Sequence, residues 1–324
     1  MLNFAGCMER FYQAIRSVLA VAVLTAALSA CNDELHELEP TGSPMLISSG
    51  TSLLGGSVTN VALFRHSGFQ IWGVNTRGGV FAKGADYSDA RFHVENMWPA
   101  RVGYDDGWNY SPLAEWTADD RLTFMAMSPM DLEQSGFSVF ADYADTHRFA
   151  LTFTGDAMPR GPLLIAPLQQ YMYGVPTPDL KFTFEDMLSK MYFRINNDMG
   201  VGIDSLLSVG VSGSFPMGSS SGKPRVLVDE QVLQWENLEN HHLDFAQQRC
   251  TRFDGDSIPD GHSVATLADS PLYFFPGFAD SVRFEIRYTQ CDTVGTFVRY
   301  AALSKVMRME QGKGYLFEIT LVKR

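Results

Sequence analysis

Cysteine is scarce in this chain: Cys7, Cys31, Cys250 and Cys291 are the four in 324 residues. No C-x-x-C pair and no Cys/His spacing indicates a metal or redox centre. Basic residues are also few, 25 Lys and Arg against 37 Asp and Glu, and the net charge is −12. Phosphate binding rests on clusters of Lys and Arg, and none is present, so a nucleic-acid partner is excluded. Long apolar runs are missing too. The one stretch of that kind, Val18 to Ala30, is shorter than the about 20 residues a membrane-spanning helix needs.

Catalytic signatures are equally thin. Catalysis asks for a nucleophile, a base and an orienting group, and no local pattern supplies them. Gly261-His262-Ser263 sets a His beside a Ser, but neighbours on an extended chain point to opposite faces. His241-His242 lacks the i, i+4 spacing of two ligands on one helix face. Asp254, Asp256 and Asp260 have the hard oxygens calcium favours. An EF-hand would close with Glu twelve positions along, and there the chain has Ala265, so an Asp/Gly turn is expected. Trp98, Trp108, Tyr110 and Trp116 could stack on carbohydrate, yet so aromatic a chain needs such rings for its core. The expectation is no enzyme, no cofactor and no metal.

What the chain does have begins at Leu28-Ser29-Ala30-Cys31. An apolar run follows Arg10 and Arg16, and small residues precede a cysteine, as in a lipoprotein signal. The cut would fall between Ala30 and Cys31, and the Cys31 thiol would take the lipid. The signal then covers 1–30 and the mature chain begins at Cys31. Asn32 to Pro40 carries four carboxylates and reads as a solvated tether over 31–56, either an export address or a spacer. Two cysteines, Cys250 and Cys291, are left to pair or to remain as free thiols.

Beyond the tether the sequence is aromatic, punctuated by Gly and Pro, and without long helical periodicity, which favours antiparallel β structure. Val58 to Phe64 is expected as the first strand and Phe69 to Val74 as the second, followed by a turn at Gly78-Gly79. Phe92 to Trp98, Trp108 to Trp116, Leu122 to Ala126, Ala150 to Phe153 and Leu163 to Ile165 continue the series. Pro176-Thr177-Pro178 reads as a linker, dividing the chain into 57–178 and 179–324. Leu180, Phe182 and Phe184 alternate, Glu185 to Ser189 suits a helical turn, and Met191, Phe193 and Ile195 resume the alternation. Leu206 to Val211 and Arg225 to Val228 follow. Val282 to Tyr288 and Tyr315 to Leu321 have the clearest period of two. The expected fold class is all-β, with two sandwiches in series.

Several stretches resemble the fimbrillin-like lipoproteins of the Bacteroidota. They are Trp108-Asn109-Tyr110-Ser111-Pro112 leading to Trp116, Leu122 to Pro129, Leu180 to Met191 with Leu188-Ser189-Lys190 kept, and Gly312 to Leu321. Glu185 to Met187 depart from the text usual in relatives. The resemblance implies two tandem transthyretin-like β-sandwiches behind a lipoprotein signal, displayed on the outer membrane or in a fimbrium. Its implied partners are copies of the chain or related subunits, membrane lipid through Cys31, and surface glycans or proteins. It also implies strand exchange after a protease removes the first strand. Arg65, the one Lys or Arg between Cys31 and the second strand, then marks the candidate maturation cleavage, releasing Val58 to Phe64. The alternative is a permanently lipidated anchor, adhesin or glycan-binding module.

Overall fold

The computed structural model describes residues 43–323, apart from 55–57, 77–80, 82–84, 88, 118–120, 145–147, 156–157, 175–176, 221 and 292. Ala30, Cys31, residues 32–42 and 55–56 of the expected tether, Gly78-Gly79 and Pro176 lie outside the described residues, while 43–54 of that tether is ordered chain paired with 180–184. One α-helix is present among those described, α1 (Val58–Ser67). The main strands of the first half are β1 (Phe69–Asn75), β2 (Ala100–Tyr104), β3 (Arg121–Ser128), β4 (Phe137–Tyr143), β5 (Phe149–Gly155) and β6 (Leu164–Met172). There follow β7 (Thr183–Asp186), β8 (Ser189–Asp198), β9 (Ile203–Gly218), β10 (Arg225–Val228), β11 (Leu233–Glu236) and β12 (Leu238–Leu243). The last are β13 (Ser263–Ala265), β14 (Leu272–Phe274), β15 (Gly277–Gln290), β16 (Phe297–Ala302) and β17 (Gly314–Val322). The class is all-β, as two sandwiches.

A nearly continuous extended run, residues 180–198, joins them. Successive residues of a strand turn their backbone groups to opposite edges. On one edge Leu180 donates to Leu46 O, while the carbonyls of Leu180, Phe182 and Phe184 accept from Ser48, Ser52 and Leu54, all at 2.8–2.9 Å. Further along, Leu188 O accepts from Gly312 N and Lys190 N donates to Lys313 O. Even-numbered residues therefore hold both the N-terminal segment and β17, one after the other, and both run parallel to the spine. Odd-numbered residues serve the other edge: Met187 N donates to Leu163 O, Phe193 O accepts from Thr266 N, and Asn197 N donates to His262 O.

The first large sheet has seven strands, in the order 52–53, β7, β6, β3, β1, β2, 108–109. Both of its faces are covered. On β3, Leu122, Phe124 and Ala126 enter one core while Met125 and Met127 enter another. Thr123 is buried among them because its hydroxyl pairs with that of Thr76 at 2.9 Å. A strand apolar on both faces loses the plain in/out alternation, which is why Leu-Thr-Phe-Met-Ala-Met reads ambiguously in sequence.

The second core is closed by a four-stranded sheet, β11, β10, β5, β4. Its hairpin β10–β11 comes from beyond residue 178, yet Val226 pairs with Leu151 and Val228 with Phe149. Trp235 Nε1 donates to Met187 O at 2.9 Å and anchors the hairpin to the spine. The C-terminal sandwich sets β8 with β13, β14 and β17 against β12, β9, β15 and β16. Its core includes Met191, Phe193, Ile195, Val282, Phe284, Ile286, Ile319 and Leu321, the alternating positions expected from sequence. β9 bends at Gly213, with φ +142, where a Cβ would lie 2.9 Å from Asp280 O. Only glycine suits that bulge.

Three expectations are corrected. Val58 to Phe64 belongs to a helix and not to a strand. Phe92 to Trp98 is a 3-10 turn and irregular chain, with β2 beginning only at Ala100. Glu185 to Ser189 has no helical turn: β7 runs to Asp186 and β8 starts at Ser189. Of the two states open to Cys250 and Cys291, the free thiols are found, the first buried and the second exposed.

The shared hairpin ties the first sandwich to the chain of the second. Phe153, buried against Trp235 with ring centroids 5.6 Å apart, reports on that junction. Phe153→Ala should cost about 3–5 kcal/mol. Denaturant curves followed by tryptophan fluorescence and by far-ultraviolet circular dichroism should coincide for wild type, since the tryptophans lie on the first sandwich and its hairpin while dichroism reads both.

Candidate functional site

The edge at residues 180–184 is occupied by an extended segment, 45–54, and capped by α1. Met45 and Ile47 are buried while Leu46 between them is 48% exposed, the signature of a strand with one wet face. A tight turn at Ser48 to Thr51 follows, with Thr51 N donating to Ser48 O at 3.0 Å. Tyr110 clasps the start of the segment: its hydroxyl donates to Met45 O at 2.8 Å and accepts from Ala114 N at 3.3 Å. Burial pushes the Tyr110 hydroxyl up to about 12, so it remains a donor at neutral pH.

Among the described side chains of α1, Phe64 is the one buried in the core. Phe64 is 3% exposed, with Phe184, Trp108 and Phe69 at ring-centroid distances of 4.9, 5.0 and 6.2 Å. Gly68 ends the helix with φ +60, and its N–H donates to Phe64 O at 3.1 Å. A Cβ there would stand 2.4 Å from Val102 O, so no other residue could take the position. Arg65 and His66 in the last turn complement the helix dipole. Val58, Val61 and Leu63 suggest a strand by composition; the 61/64 spacing and the closing glycine are the helical signals present.

Arg65, the candidate cleavage residue, is exposed, and its guanidinium lies 4.6 Å from the Tyr104 ring centroid. Cleavage after it would detach Met45, Ile47, Leu53 and Phe64 together. The uncovered surface would comprise Phe69, Trp108, Leu180, Phe182 and Phe184, with the backbone edge of 180–184. Each fully buried apolar side chain so removed is worth about 1.5–3 kcal/mol. Trp116, also in this core, is buried with Nε1 lacking an acceptor. The piece that could be exchanged is therefore the strand 45–54 with the plug Phe64, and Val58 to Phe64 alone is not a strand to release.

Beneath α1 a void of about 50 Å³ touches Leu63, Tyr192, Tyr273 and the largely buried Asp186–Lys190 ion pair. It is smaller than the roughly 300 Å³ at which ligand pockets begin. Burial raises the pKa of Tyr192 and Tyr273, with Asp186 adding to both.

The other sequence candidates separate. Trp108, Tyr110 and Trp116 are core residues and Trp98 stacks on His93 at 3.7 Å, so no platform of these four faces solvent. Asp254 caps Ala265 N and Asp260 caps Gly200 N, at 2.6 and 2.7 Å. His262 Nδ1 meets Asp260 O, and His242 pairs with Asp244. Among the described residues no group of three or more His, Cys, Asp or Glu is placed to hold a metal. None of the described helices is long and apolar enough to cross a membrane.

No protein-family profile and no curated protein sequence matches the chain. Solved structures do. A candidate cell adhesion protein from Bacteroides fragilis aligns over 86% of this chain and 88% of its own, with 12% identity and a TM-score of 0.44. One from Bacteroides ovatus aligns over 78% and 82%, with 15% identity and a TM-score of 0.40. The fimbrial anchor protein Mfa2 from Porphyromonas gingivalis aligns over 68% and 70%, with 6% identity and a TM-score of 0.30. Likeness at this level does not transfer an activity.

Tyr110→Phe removes the clasp on Met45 and should speed amide hydrogen exchange across 45–54 about fivefold, the loss of one buried hydrogen bond. The raised folded pKa makes the clasp's contribution complete below about pH 10. It is lost as pH rises toward about 12, because the unfolded phenol ionises first. The protection factor at 45–54, exchange taken relative to the intrinsic base-catalysed rate at each pH, should fall in that alkaline window in the wild type and stay level in Tyr110→Phe.

Proposed function

We propose that this chain is a cell-surface structural subunit of a fimbria or pilus, exported as a lipoprotein and joined to its neighbours by strand exchange. Cys31 takes the lipid after cleavage between Ala30 and Cys31. The observation that carries the reading is the segment 45–54, added in parallel to the edge at 180–184 and, with Phe64, packed into the core behind it. Detaching it leaves an apolar groove with a free backbone edge, the arrangement that accepts a strand from another chain. The two sandwiches, divided near Pro178, form the body of the subunit.

A second reading, a permanently lipidated outer-membrane anchor or adhesin, has its own support. Proteases bind extended substrate, whereas Arg65 sits in a helix and stacks on Tyr104. The last turn of α1 would have to unwind before cleavage. If it does not, the cover stays and the lipid is the lasting attachment. Neither reading calls for an enzymatic role.

Expression in a host that assembles surface filaments separates the two. The subunit reading expects an SDS-resistant ladder, filament protein starting at His66, and loss of both in Arg65→Ala. A single lipidated band beginning at Cys31, unaltered by Arg65→Ala, supports the anchor.

A further inference from the structure

A second cleft lies in the C-terminal sandwich, away from the N-terminal cover. It encloses about 380 Å³, within the range of small-molecule sites. Arg160, Arg249 and Arg252 line it together with Gln248, Ser270 and Tyr273, and none of its described lining residues is Asp or Glu.

The arginines are held differently. Arg249 Nη1 donates to Glu285 Oε1 at 2.6 Å, and that carboxylate, 4% exposed, also accepts from Arg287 Nε at 2.7 Å and from the Tyr300 hydroxyl at 3.3 Å. Hydrogen bonds from Arg287 and Arg249 keep Glu285 ionised by lowering its pKa against the cost of burial. Arg249 is thereby fixed before any ligand arrives, which spares the ordering cost of binding. Arg252 is 60% exposed, and its contact with Asp269 is long, at 3.4 Å. An exposed pair of this kind contributes little, so its guanidinium can turn to a guest at small cost.

We propose that this cleft binds a carboxylate-bearing saccharide. A guanidinium fork matches a carboxylate in two parallel hydrogen bonds. Hydroxyl and amide side chains around it suit a polyhydroxylated ring. An acidic peptide is the poorer guest, because the backbone of Arg249 and Cys250 is already paired with Gly210 and Val209 and has no edge to lend. An extended polyanion would meet the repulsion of the surrounding acidic surface, whereas a single carboxylate does not.

Saturation-transfer NMR and calorimetry on the full mature chain test this with sialyllactose, lactose and tetraglutamate. Sialyllactose should bind, lactose should not, and added salt should weaken the binding. Arg252→Ala should reduce affinity about tenfold or more. Thr251→Trp, an exposed cleft position, should block binding sterically without touching charge. Thermal melts matching wild type would certify that both variants fold. Equal binding of lactose, equal binding of tetraglutamate, an unaltered affinity in folded Arg252→Ala, or no binding of sialyllactose would each overturn the assignment.

Discussion

The interaction on which the molecule depends is the double use of one backbone, residues 180–198. A strand with both edges paired is common. Here, however, the edge of even-numbered residues is filled by the two ends of the described chain, and the odd edge by the interior strands. The spine therefore cannot form fully until segments more than a hundred residues distant in sequence have returned to it. Such non-local pairing is slow to establish, because loop closure must precede the contacts that reward it. It also concentrates consequence: a change that frees one terminal segment opens backbone along a single edge without dissolving the sheet behind it.

Two devices keep the rest in place. The seven-stranded sheet is buried on both faces, so β3 and β6 are held by cores on either side. The hairpin β10–β11 leaves the chain of the second sandwich and completes a sheet of the first, with Trp235 tied to Met187 O. A division at Pro178 describes the order of the sequence better than it describes the packing.

The fold class and the strands of regular period were legible because one buried face and one wet face leave a trace every second residue. Val282 to Tyr288 and Tyr315 to Leu321 are of that kind. Val58 to Phe64 misled because its valines imitate strand composition, while its helix rests on one plug residue and a closing glycine. The destination of Arg225–Val228 depended on Phe149–Thr152, a partner remote in the chain, which local pattern does not encode. The candidate site was half visible. Arg65 could be found as an isolated basic residue, but the segment it would release is fixed by Tyr110 and by the edge at 180–184, and neither announces itself. The arginine cleft was invisible for the same reason: residue 160 joins 249 and 252 only in space.

The parallel sense of the two terminal segments bears on mechanics. Suppose the chain is loaded at its N-terminal side and at the end of β17. Tension then runs along the strand axes, in opposite directions at the two ends of the same spine. The hydrogen bonds of each segment would be strained sideways and all together, as in a lap joint, instead of opening one by one as in a peel. A lap joint fails at much higher force than a peel of equal bond number. Such a load would be resisted along the same seam that cleavage after Arg65 would open.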